Sequence, residues 1–346
     1  MTAYKAALGT RAVVVMIGTV HDAGAVLSEL LTDDRVEVGC VVTNTRLTAR
    51  NLPGAVDVAT AAAAAGVPAL LTDDVNGPQV VASIRALHPD LIVVAGCPQL
   101  LGTKLLAVPR RGCVGFHPSL LPRYRGPAPI NWAMLRGERT VGNTLLMLDR
   151  GRQTGDIIAQ REIAVRPQDT FRSVYLHVAN AGARMLREHL AALLAGQAPR
   201  QAQDPAAGDV LPPRTPEMGI IDWNRSAAAI YDWVRALTLP YSGAFTHYNG
   251  GRAMVWAAQA ATEEAPSGWP GEILDYERDG VRIGVRGGSV LITQMSDPGH
   301  RPEPARRWLR RARLAPGFRF EPVPLEVSLW ALGQLAIPTD AHRLSS

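Results

Sequence analysis

The chain has 346 residues, of which 47% are hydrophobic and 19% charged, and its formal net charge is +5 at pH 7. This composition is that of a globular protein with room for two domains, and it argues against disorder. No apolar run reaches the roughly 18 residues of a membrane-spanning helix, and the first residues lack a hydrophobic signal region. We therefore expect a cytoplasmic protein without a membrane partner.

The three cysteines indicate neither disulfides nor a metal site. Cys40, Cys97 and Cys113 lie far apart and form no C-x-x-C pair and no cluster with histidine. Disulfide frameworks and zinc sites need more cysteines at closer spacing. We therefore expect each cysteine to be a small buried residue, and we expect no bound metal.

Much of the positive charge lies in one short segment, "RRWLRRAR", from Arg306 to Arg313. Such a segment either contacts nucleic acid or forms the solvated face of a helix whose Trp308 and Leu309 point inward. Proteins that bind nucleic acid usually distribute several basic stretches over one surface. The sequence therefore favours the helix, and no nucleic-acid partner is expected.

The N-terminal part of the chain alternates apolar strands with alanine-rich helical segments. Strands are predicted at 12–18, 35–42 and 90–96, and a helix is predicted to open at Asn76 or Pro78. Continuous apolar strands separated by helices are typical of a parallel sheet covered on both faces, so we expect a Rossmann-like α/β fold. Its ligands would bind beyond the carboxyl ends of the strands. The first strand is followed by "GTVHDAG", which is not the G-x-G-x-x-G of dinucleotide-binding proteins.

Later in the chain the pattern changes. A strand is predicted over 141–151 and an amphipathic helix over 170–194. A further helix, capped by Asn224 or Ser226, leads into short strands separated by glycine turns. Strands so short and so closely spaced predict a smaller, mainly-β domain, an open barrel or sheet.

These elements divide the chain into a large α/β domain and a small β-rich domain. The segment between them is rich in proline, glycine and alanine, which is typical of a linker. The predicted boundaries are 1–200 for the α/β domain, 201–218 for the linker, 219–325 for the β-rich domain and 326–346 for a C-terminal extension.

His117 begins a stretch, "HPSLLPRYRGPAP", in which four prolines restrict the backbone. A loop so constrained holds a side chain at low entropic cost, as a catalytic site requires. Downstream, Asp149 and Asp156 enclose two glycines in "DRGRQTGD", so their carboxylates can project from a turn. A carboxylate beside His117 would raise the imidazole pKa and fix the tautomer for proton transfer. Taken singly, the same residues suit a turn histidine and two surface aspartates.

Two long motifs in the chain resemble one enzyme family. H-P-S-L-L-P-x-Y-R-G at 117–126 and D-x-G-x-x-T-G-D-I at 149–157 are similar, in order and spacing, to the formyltransferases that use 10-formyltetrahydrofolate. These include methionyl-tRNA, glycinamide ribonucleotide and sugar N-formyltransferases, and the hydrolase domain of formyltetrahydrofolate dehydrogenase. Residues 221–246 resemble the second domain of the sugar and tRNA enzymes. The resemblance implies a Rossmann-like catalytic domain that uses 10-formyltetrahydrofolate as co-substrate and needs no metal.

The resemblance also implies roles for individual residues. His117 and Asp156 would be the catalytic pair, which assists proton transfer and stabilises the tetrahedral oxyanion formed when an amine attacks the formyl carbon. Gly115, Arg123 and Arg125 would contact the substrate, although both arginines also suit loop-surface salt bridges. The implied folate-binding residues lie in three segments: Gly96, Gln99, Leu100, Leu101, Ser119, Leu120, Leu121, Pro122 and Asp149.

Gly115 stands where most of these transferases have an asparagine whose amide donates to the oxyanion. Loss of one such donor costs about 2.7 to 4 kcal/mol. Three explanations remain open. Another donor reaches in, with Asn143 as the first candidate and Asn131 and Gln99 as weaker ones. Alternatively, the glycine leaves space for a bulkier acceptor or a water molecule. In the third explanation the formyl group passes to water, as in the dehydrogenase's hydrolase domain, which also lacks the asparagine.

The acceptor is less well defined than the donor. The tRNA enzymes usually carry a lysine-rich insertion after the second strand, where this chain has Arg46 and Arg50 but no lysine. The segment "RALTLPYSGAFT" is more similar to the sugar enzymes. We therefore expect a small primary amine, either an amino sugar nucleotide or an amino-acid-derived amine. The alternatives are methionyl-tRNA, water, and folate binding without turnover, and a homodimer is one possible assembly.

Overall fold

The computed structural model describes residues 11–20, 22–204, 206–259 and 267–337, and the chain divides into two compact units. The first comprises Met1–Gly126, Thr140–Ile163 and Tyr175–Val210, and the second comprises Pro127–Arg139, Ala164–Val174 and Leu211–Ser346. Two short segments of the predicted α/β domain thus group with the C-terminal unit. Residues 338–346 of the predicted extension lie outside the described residues.

Seven strands form the sheet of the first unit: β1 (Ala12–Ile17), β2 (Val36–Thr43), β3 (Ala69–Leu71), β4 (Leu91–Val94), β5 (Cys113–His117), β6 (Thr140–Met147) and β7 (Ile157–Ala164). Their order is β3-β2-β1-β4-β5-β6-β7. Neighbours from β3 through β5 run parallel, and β6 runs antiparallel to β5. The predicted Rossmann-like, mostly parallel sheet is therefore confirmed.

The described residues form the helices α1 (Asp22–Thr32), α2 (Arg46–Ala49), α3 (Val58–Ala64), α4 (Pro78–Ala86), α5 (Thr103–Leu106), α6 (Pro129–Leu135), α7 (Phe171–Ala195), α8 (Ala227–Leu237), α9 (Ala305–Arg311) and α10 (Leu325–Ala331), together with a 3-10 turn at Pro216–Gly219. Within these ranges no helix combines the length and the apolar character needed to cross a membrane.

Two apolar clusters lie on the two faces of the first sheet. Met16 of β1 belongs to the cluster that contains Leu186 of α7, and Ile17 belongs to the one that contains Ile84 of α4. Successive side chains of a strand point to opposite faces, so a strand that is apolar at every position buries both of them. The sheet is thus a buried layer between helices.

The carboxyl ends of β1 and β4 meet where the strand order reverses, and their backbones approach closely. A Cβ on Gly18 would lie 2.0 Å from the carbonyl oxygen of Ala95. Gly96 has φ +64°, and a Cβ there would lie 2.4 Å from Val20 Cγ2. The carbonyl oxygen of Gly96 accepts hydrogen bonds from the backbone amides of Thr19 and Val20. Open α/β sheets bind their ligands at such a point.

The second unit contains an antiparallel sheet. Its strands are β8 (Ala244–Tyr248), β9 (Gly251–Gln259), β10 (Ile273–Tyr276), β11 (Val281–Val285), β12 (Gly288–Ser296) and β13 (Glu303–Pro304). The order is β10-β11-β12-β9-β8, and β13 pairs with β12. All these pairs are antiparallel. The predicted smaller, mainly-β part of the fold is confirmed.

Two helices of the second unit are absent from the sequence prediction. Helix α6 lies in the proline-rich stretch and begins with Pro129, where the missing N–H costs nothing. All seven of its residues are buried, and Asn131 Nδ2 donates to the carbonyl oxygen of Ala236 at 2.8 Å. Helix α10 lies at the end of the second unit and overlaps the predicted extension.

The arginine-rich segment forms α9, as predicted. Trp308 and Leu309 are buried. Arg311 lies 2.8 Å from Asp297, and Arg307 lies 3.3 Å from Glu303. Two of its arginines are thus paired with carboxylates of their own unit, which reduces the positive charge that this helix presents.

Candidate active site at the end of strand β5

His117 is the last residue of β5 and pairs in register with Thr144 of β6. The residue is only 5% exposed, and its Nε2 lies 2.8 Å from the carbonyl oxygen of Tyr124. A carbonyl oxygen only accepts hydrogen bonds, so Nε2 carries the proton and donates. Among the described residues, Nδ1 has no hydrogen-bond partner. The imidazole therefore offers one ring nitrogen, Nδ1, as a proton acceptor.

The surroundings of His117 keep the imidazole neutral. Burial lowers the pKa of His117 to about 4, the hydrogen bond to Tyr124 opposes this shift, and the charge of Arg125 adds to it. The expected rise in the imidazole pKa required an aspartate beside His117, and among the described residues no aspartate contributes to the pKa shift of His117. A neutral imidazole with a free lone pair is the form that a general base requires.

The loop after His117 is pinned to the sheet. Ser119 Oγ donates to the carbonyl oxygen of Arg123 at 2.7 Å, and Thr144 Oγ1 donates to the carbonyl oxygen of Ser119 at 2.6 Å. Gln160 Nε2 donates to the carbonyl oxygen of Leu121 at 2.8 Å. Thr144 and Gln160, both on strands, thus hold the loop after His117, whose prolines already restrict its backbone. His117 therefore has a rigid support.

The apolar residues of this loop pack against the same strands. Leu120 covers Gly142, where a Cβ would lie 2.3 Å from Leu120 Cδ2. Leu121 is 3% exposed and shares a small apolar cluster with Leu146. Pro122 follows a cis peptide bond. A role of Ser119, Leu120, Leu121 and Pro122 in folate binding remains a prediction.

Leu148 fills the space beside Gly115. A Cβ on Gly115 would lie 2.9 Å from Leu148 Cδ2 and 3.2 Å from Leu148 Cδ1. In this conformation the side chain of Leu148 occupies the space beside Gly115, so a bulkier acceptor or a water molecule could enter there only if Leu148 moved; that explanation remains a prediction. An apolar side chain takes the place beside the strand, and it donates no hydrogen bond.

Asn143 does not replace the missing donor. His117 pairs with Thr144, so the adjacent Asn143 points to the opposite face of the sheet. There its Nδ2 donates to the carbonyl oxygen of Val178 on α7 at 2.9 Å. The two weaker candidates are also engaged, since Asn131 donates to Ala236 and Gln99 Nε2 donates to the carbonyl oxygen of Asp73 at 2.7 Å.

The two predicted aspartates do not meet His117. Asp149 caps its own loop by accepting from the backbone amide of Gly151 at 3.0 Å and from Thr154 Oγ1 at 2.8 Å. The side chain of Asp156 is 38% exposed and lies 3.9 Å from Arg200 Nη1. Within the described part of the chain, no hydrogen bond or ion pair joins Asp156 to His117. The predicted catalytic pair is therefore not formed by these two side chains in this structure.

Arg125 is a structural residue, which corrects its predicted role in substrate binding. It is 2% exposed, and its Nη1 donates to the carbonyl oxygen of Ala207 at 2.8 Å. Its Nη2 donates to Gln203 Oε1 at 3.0 Å and to the carbonyl oxygen of Asp204 at 3.2 Å. Gln203, Asp204 and Ala207 of the segment predicted as a linker thus contact the loop that follows His117. Arg123 is exposed, and its role in substrate binding remains a prediction.

Sequence reasoning missed three glutamines around this site: Gln153, Gln160 and Gln203. Gln203 Nε2 donates to the carbonyl oxygens of Gln153 and Gly155, at 3.0 and 2.7 Å. Gln153 Oε1 accepts from the backbone amide of Gly126 at 3.2 Å. The sequence signal for Gln153 was its place in a turn between two glycines. The contacts of Gln160 and Gln203 join distant segments of the chain, so they leave no local pattern in the sequence.

The segment after β4 contains the predicted folate-binding residues Gly96, Gln99, Leu100 and Leu101. Leu101 is buried in the core. The side-chain amide of Gln99 donates through Nε2 to the carbonyl oxygen of Asp73 and accepts through Oε1 from the backbone amide of Val75. Leu100 is 45% exposed. In the described ranges, the backbone amides of Gln99 and Leu100 have no hydrogen-bond acceptor. A role of Gly96, Gln99, Leu100 and Leu101 in folate binding remains a prediction.

Comparison with known proteins identifies the family. A model described as "Formyl transferase" matches residues 10–190, more than half of the chain, and one described as "Formyl transferase, C-terminal domain" matches residues 214–313. The methionyl-tRNA formyltransferase of Geobacter metallireducens is 39% identical over 254 residues, which cover 73% of this chain and 80% of that protein.

Solved structures share the fold. HypX from Aquifex aeolicus in complex with tetrahydrofolic acid aligns over 86% of this chain with a TM-score of 0.59 and 22% identity, and this chain spans 46% of HypX, about half its length. WlaRD, a sugar 3N-formyl transferase crystallised with dTDP and 5-N-formyl-THF, aligns over 85% of this chain and 100% of its own, with a TM-score of 0.60 and 16% identity. The family matches confirm the resemblance of the two motifs: the chain belongs to the formyl transferase family, whose enzymes use formyl-tetrahydrofolate.

Proposed function

We propose that this protein transfers the formyl group of 10-formyltetrahydrofolate to a primary amine, with His117 as proton acceptor. The observation that carries the proposal is the state of His117. Its ring is buried at the carboxyl edge of the sheet, its Nε2–H is held by Tyr124, and its Nδ1 is free among the described residues. A proton acceptor needs one ring nitrogen fixed by a hydrogen bond and the other left free to take the proton, and His117 meets both conditions.

The reaction requires one proton acceptor at the amine. As the amine nitrogen bonds to the formyl carbon, the carbonyl oxygen becomes an oxyanion and the nitrogen becomes acidic. His117 Nδ1 takes this proton. When the oxyanion collapses, the bond from the formyl carbon to N10 breaks and the imidazolium returns the proton to that nitrogen. The products are a formamide and tetrahydrofolate, and the low pKa of His117 favours the return of the proton.

The charge distribution supports a small amine as acceptor. Nucleic acid needs many uncompensated phosphate contacts, whereas Arg307 and Arg311 of α9 are paired with carboxylates. In the first unit, Arg46 and Arg50 line a cavity of about 460 Å³ at the end of β2, which has the size and the charge for a small anionic group but is lined by no residue of β5 or of the loop after His117. Methionyl-tRNA is the second candidate, because the relative from Geobacter metallireducens carries that name at 39% identity.

An acceptor screen tests the proposal. The purified protein is incubated with 10-formyltetrahydrofolate and amino sugar nucleotides, amino-acid-derived amines, methionyl-tRNA or buffer alone, and formamide and tetrahydrofolate are quantified by mass spectrometry. We expect amine-dependent formamide and an equal amount of tetrahydrofolate. Tetrahydrofolate released at the same rate in buffer alone would instead indicate transfer to water, and binding without turnover would contradict the proposal.

A further inference from the structure

Gln153 links the two loops of the candidate site. Its Oε1 accepts from the backbone amide of Gly126 at 3.2 Å, two residues beyond Tyr124, the hydrogen-bond partner of His117. Gln153 also has φ +56°, a left-handed conformation that non-glycine residues adopt at a cost. The backbone thus carries strain at the point where this side chain reaches the His117 loop.

A part-buried polar network holds the backbone of Gln153 in place. Arg125 donates to Gln203, and Gln203 in turn donates to the backbone carbonyl oxygens of Gln153 and Gly155. Arg125 belongs to the loop that follows His117, so both loops are fixed to the same guanidinium. A side chain supported in this way has the geometric definition that a catalytic group needs.

The hydrogen bond to Gly126 also orients the amide of Gln153. A backbone N–H only donates, so the atom facing Gly126 is the amide oxygen, and Nε2 occupies the other corner of the amide group. Nε2 has no acceptor in the described ranges. By contrast, the amide nitrogens of Asn131, Asn143 and Gln99 all donate to carbonyl oxygens.

We propose that Gln153 donates, through Nε2–H, the oxyanion hydrogen bond that Gly115 cannot provide. The inference rests on the proposed function. When the amine attacks, the formyl oxygen acquires negative charge, and a donor held beforehand by the Gly126 contact stabilises that charge without reorganisation. The same side chain therefore anchors the loop through its oxygen and serves the reaction through its nitrogen.

The test uses Gln153→Glu, which keeps an oxygen for the Gly126 amide but removes the Nε2–H donor. Gln168→Glu makes the same chemical change at an exposed position and is the control. We expect Gln153→Glu to lower kcat for formyl transfer by about 10²–10³-fold with KM for both substrates nearly unchanged. Gln168→Glu should match the wild type, and both variants should keep the wild-type unfolding midpoint.

The outcomes separate this inference from the proposed function. If the wild type forms formamide and Gln153→Glu, folded, does so at the same kcat, the inference is overturned and the proposed function stands. If the loss appears in KM alone, Gln153 positions substrate, and the oxyanion role is likewise overturned. A wild type that forms no formamide with any amine overturns both.

Discussion

Leu148 and Gly115 should be energetically coupled. A Cβ at position 115 would lie 2.9 Å from Leu148 Cδ2, well inside the roughly 3.5–4.0 Å at which carbon atoms attract each other. Gly115 is buried in a central strand, so the leucine rather than the backbone must move. Overpacking in a rigid core costs about 1–3 kcal/mol, and the cost here lies near the low end, about 1 kcal/mol, because the tip of the half-buried Leu148 can move. Gly115→Ala should therefore destabilise the wild type by about that amount and should cost much less in a Leu148→Ala background.

Urea unfolding of the wild type, both single variants and the double variant measures this coupling. We expect a coupling energy of about 1 kcal/mol at unchanged m-values. Strictly additive effects, or a Gly115→Ala variant as stable as the wild type, would refute the packing argument. The same logic applies to function: Gly115→Asn can add an oxyanion donor only where Leu148→Ala has made room for it.

Three further predictions concern titratable groups. The pKa of about 4 for His117 predicts that NMR will show no titration of its ring near the usual value of about 6.5. Because the unfolded state binds the proton more readily, the free energy of unfolding should also fall as the pH drops from about 6.5 to 4. A His117 ring that titrates near its usual pKa would contradict this prediction. Burial raises the pKa of Asp22, which is 3% exposed, to about 6, so the charged carboxylate destabilises the folded state above that pH. Asp22→Asn should therefore raise the free energy of unfolding at neutral pH by up to about 3 kcal/mol. A lower free energy of unfolding in urea would show instead that the carboxylate stabilises the fold. Asp156→Asn should leave kcat within about tenfold of the wild type, because the half-buried carboxylate lies near Arg200 and, within the described residues, forms no hydrogen bond or ion pair with His117. A loss as large as that of a general base, about 10²–10⁴-fold, would contradict that placement.

The sheet was predictable because its signal is local. Each apolar run, such as the one that contains Met16 and Ile17, buries both faces and therefore has no polar alternation. The position of His117 at the end of a strand was equally predictable, because the strand and the prolines that follow it lie within one short stretch of sequence. Helix α6 was missed because Pro129 and its neighbours are typical of a loop, although proline is well tolerated in the first turn of a helix.

The partners of His117 were not predictable, because they depend on contacts between distant segments. Arg125 is bonded to residues about eighty positions away, so its burial leaves no trace in the surrounding sequence. Asp156 was predicted beside His117 because a carboxylate suits a histidine chemically. In the described residues no hydrogen bond or ion pair joins the two side chains, because the loop conformation places Asp156 near Arg200. The orientation of Asn143 did follow from strand alternation, once the register of β6 against β5 was known.

The most direct test of the account is the rate of formyl transfer by His117→Gln. Glutamine retains an amide that can donate to Tyr124 but has no basic nitrogen, so it removes proton acceptance while it preserves the hydrogen bond. We predict that kcat falls by about 10²–10⁴-fold, with formyl-tetrahydrofolate binding unchanged by calorimetry. A folded His117→Gln protein that transfers formyl at the wild-type rate would contradict the assignment of His117 as the base.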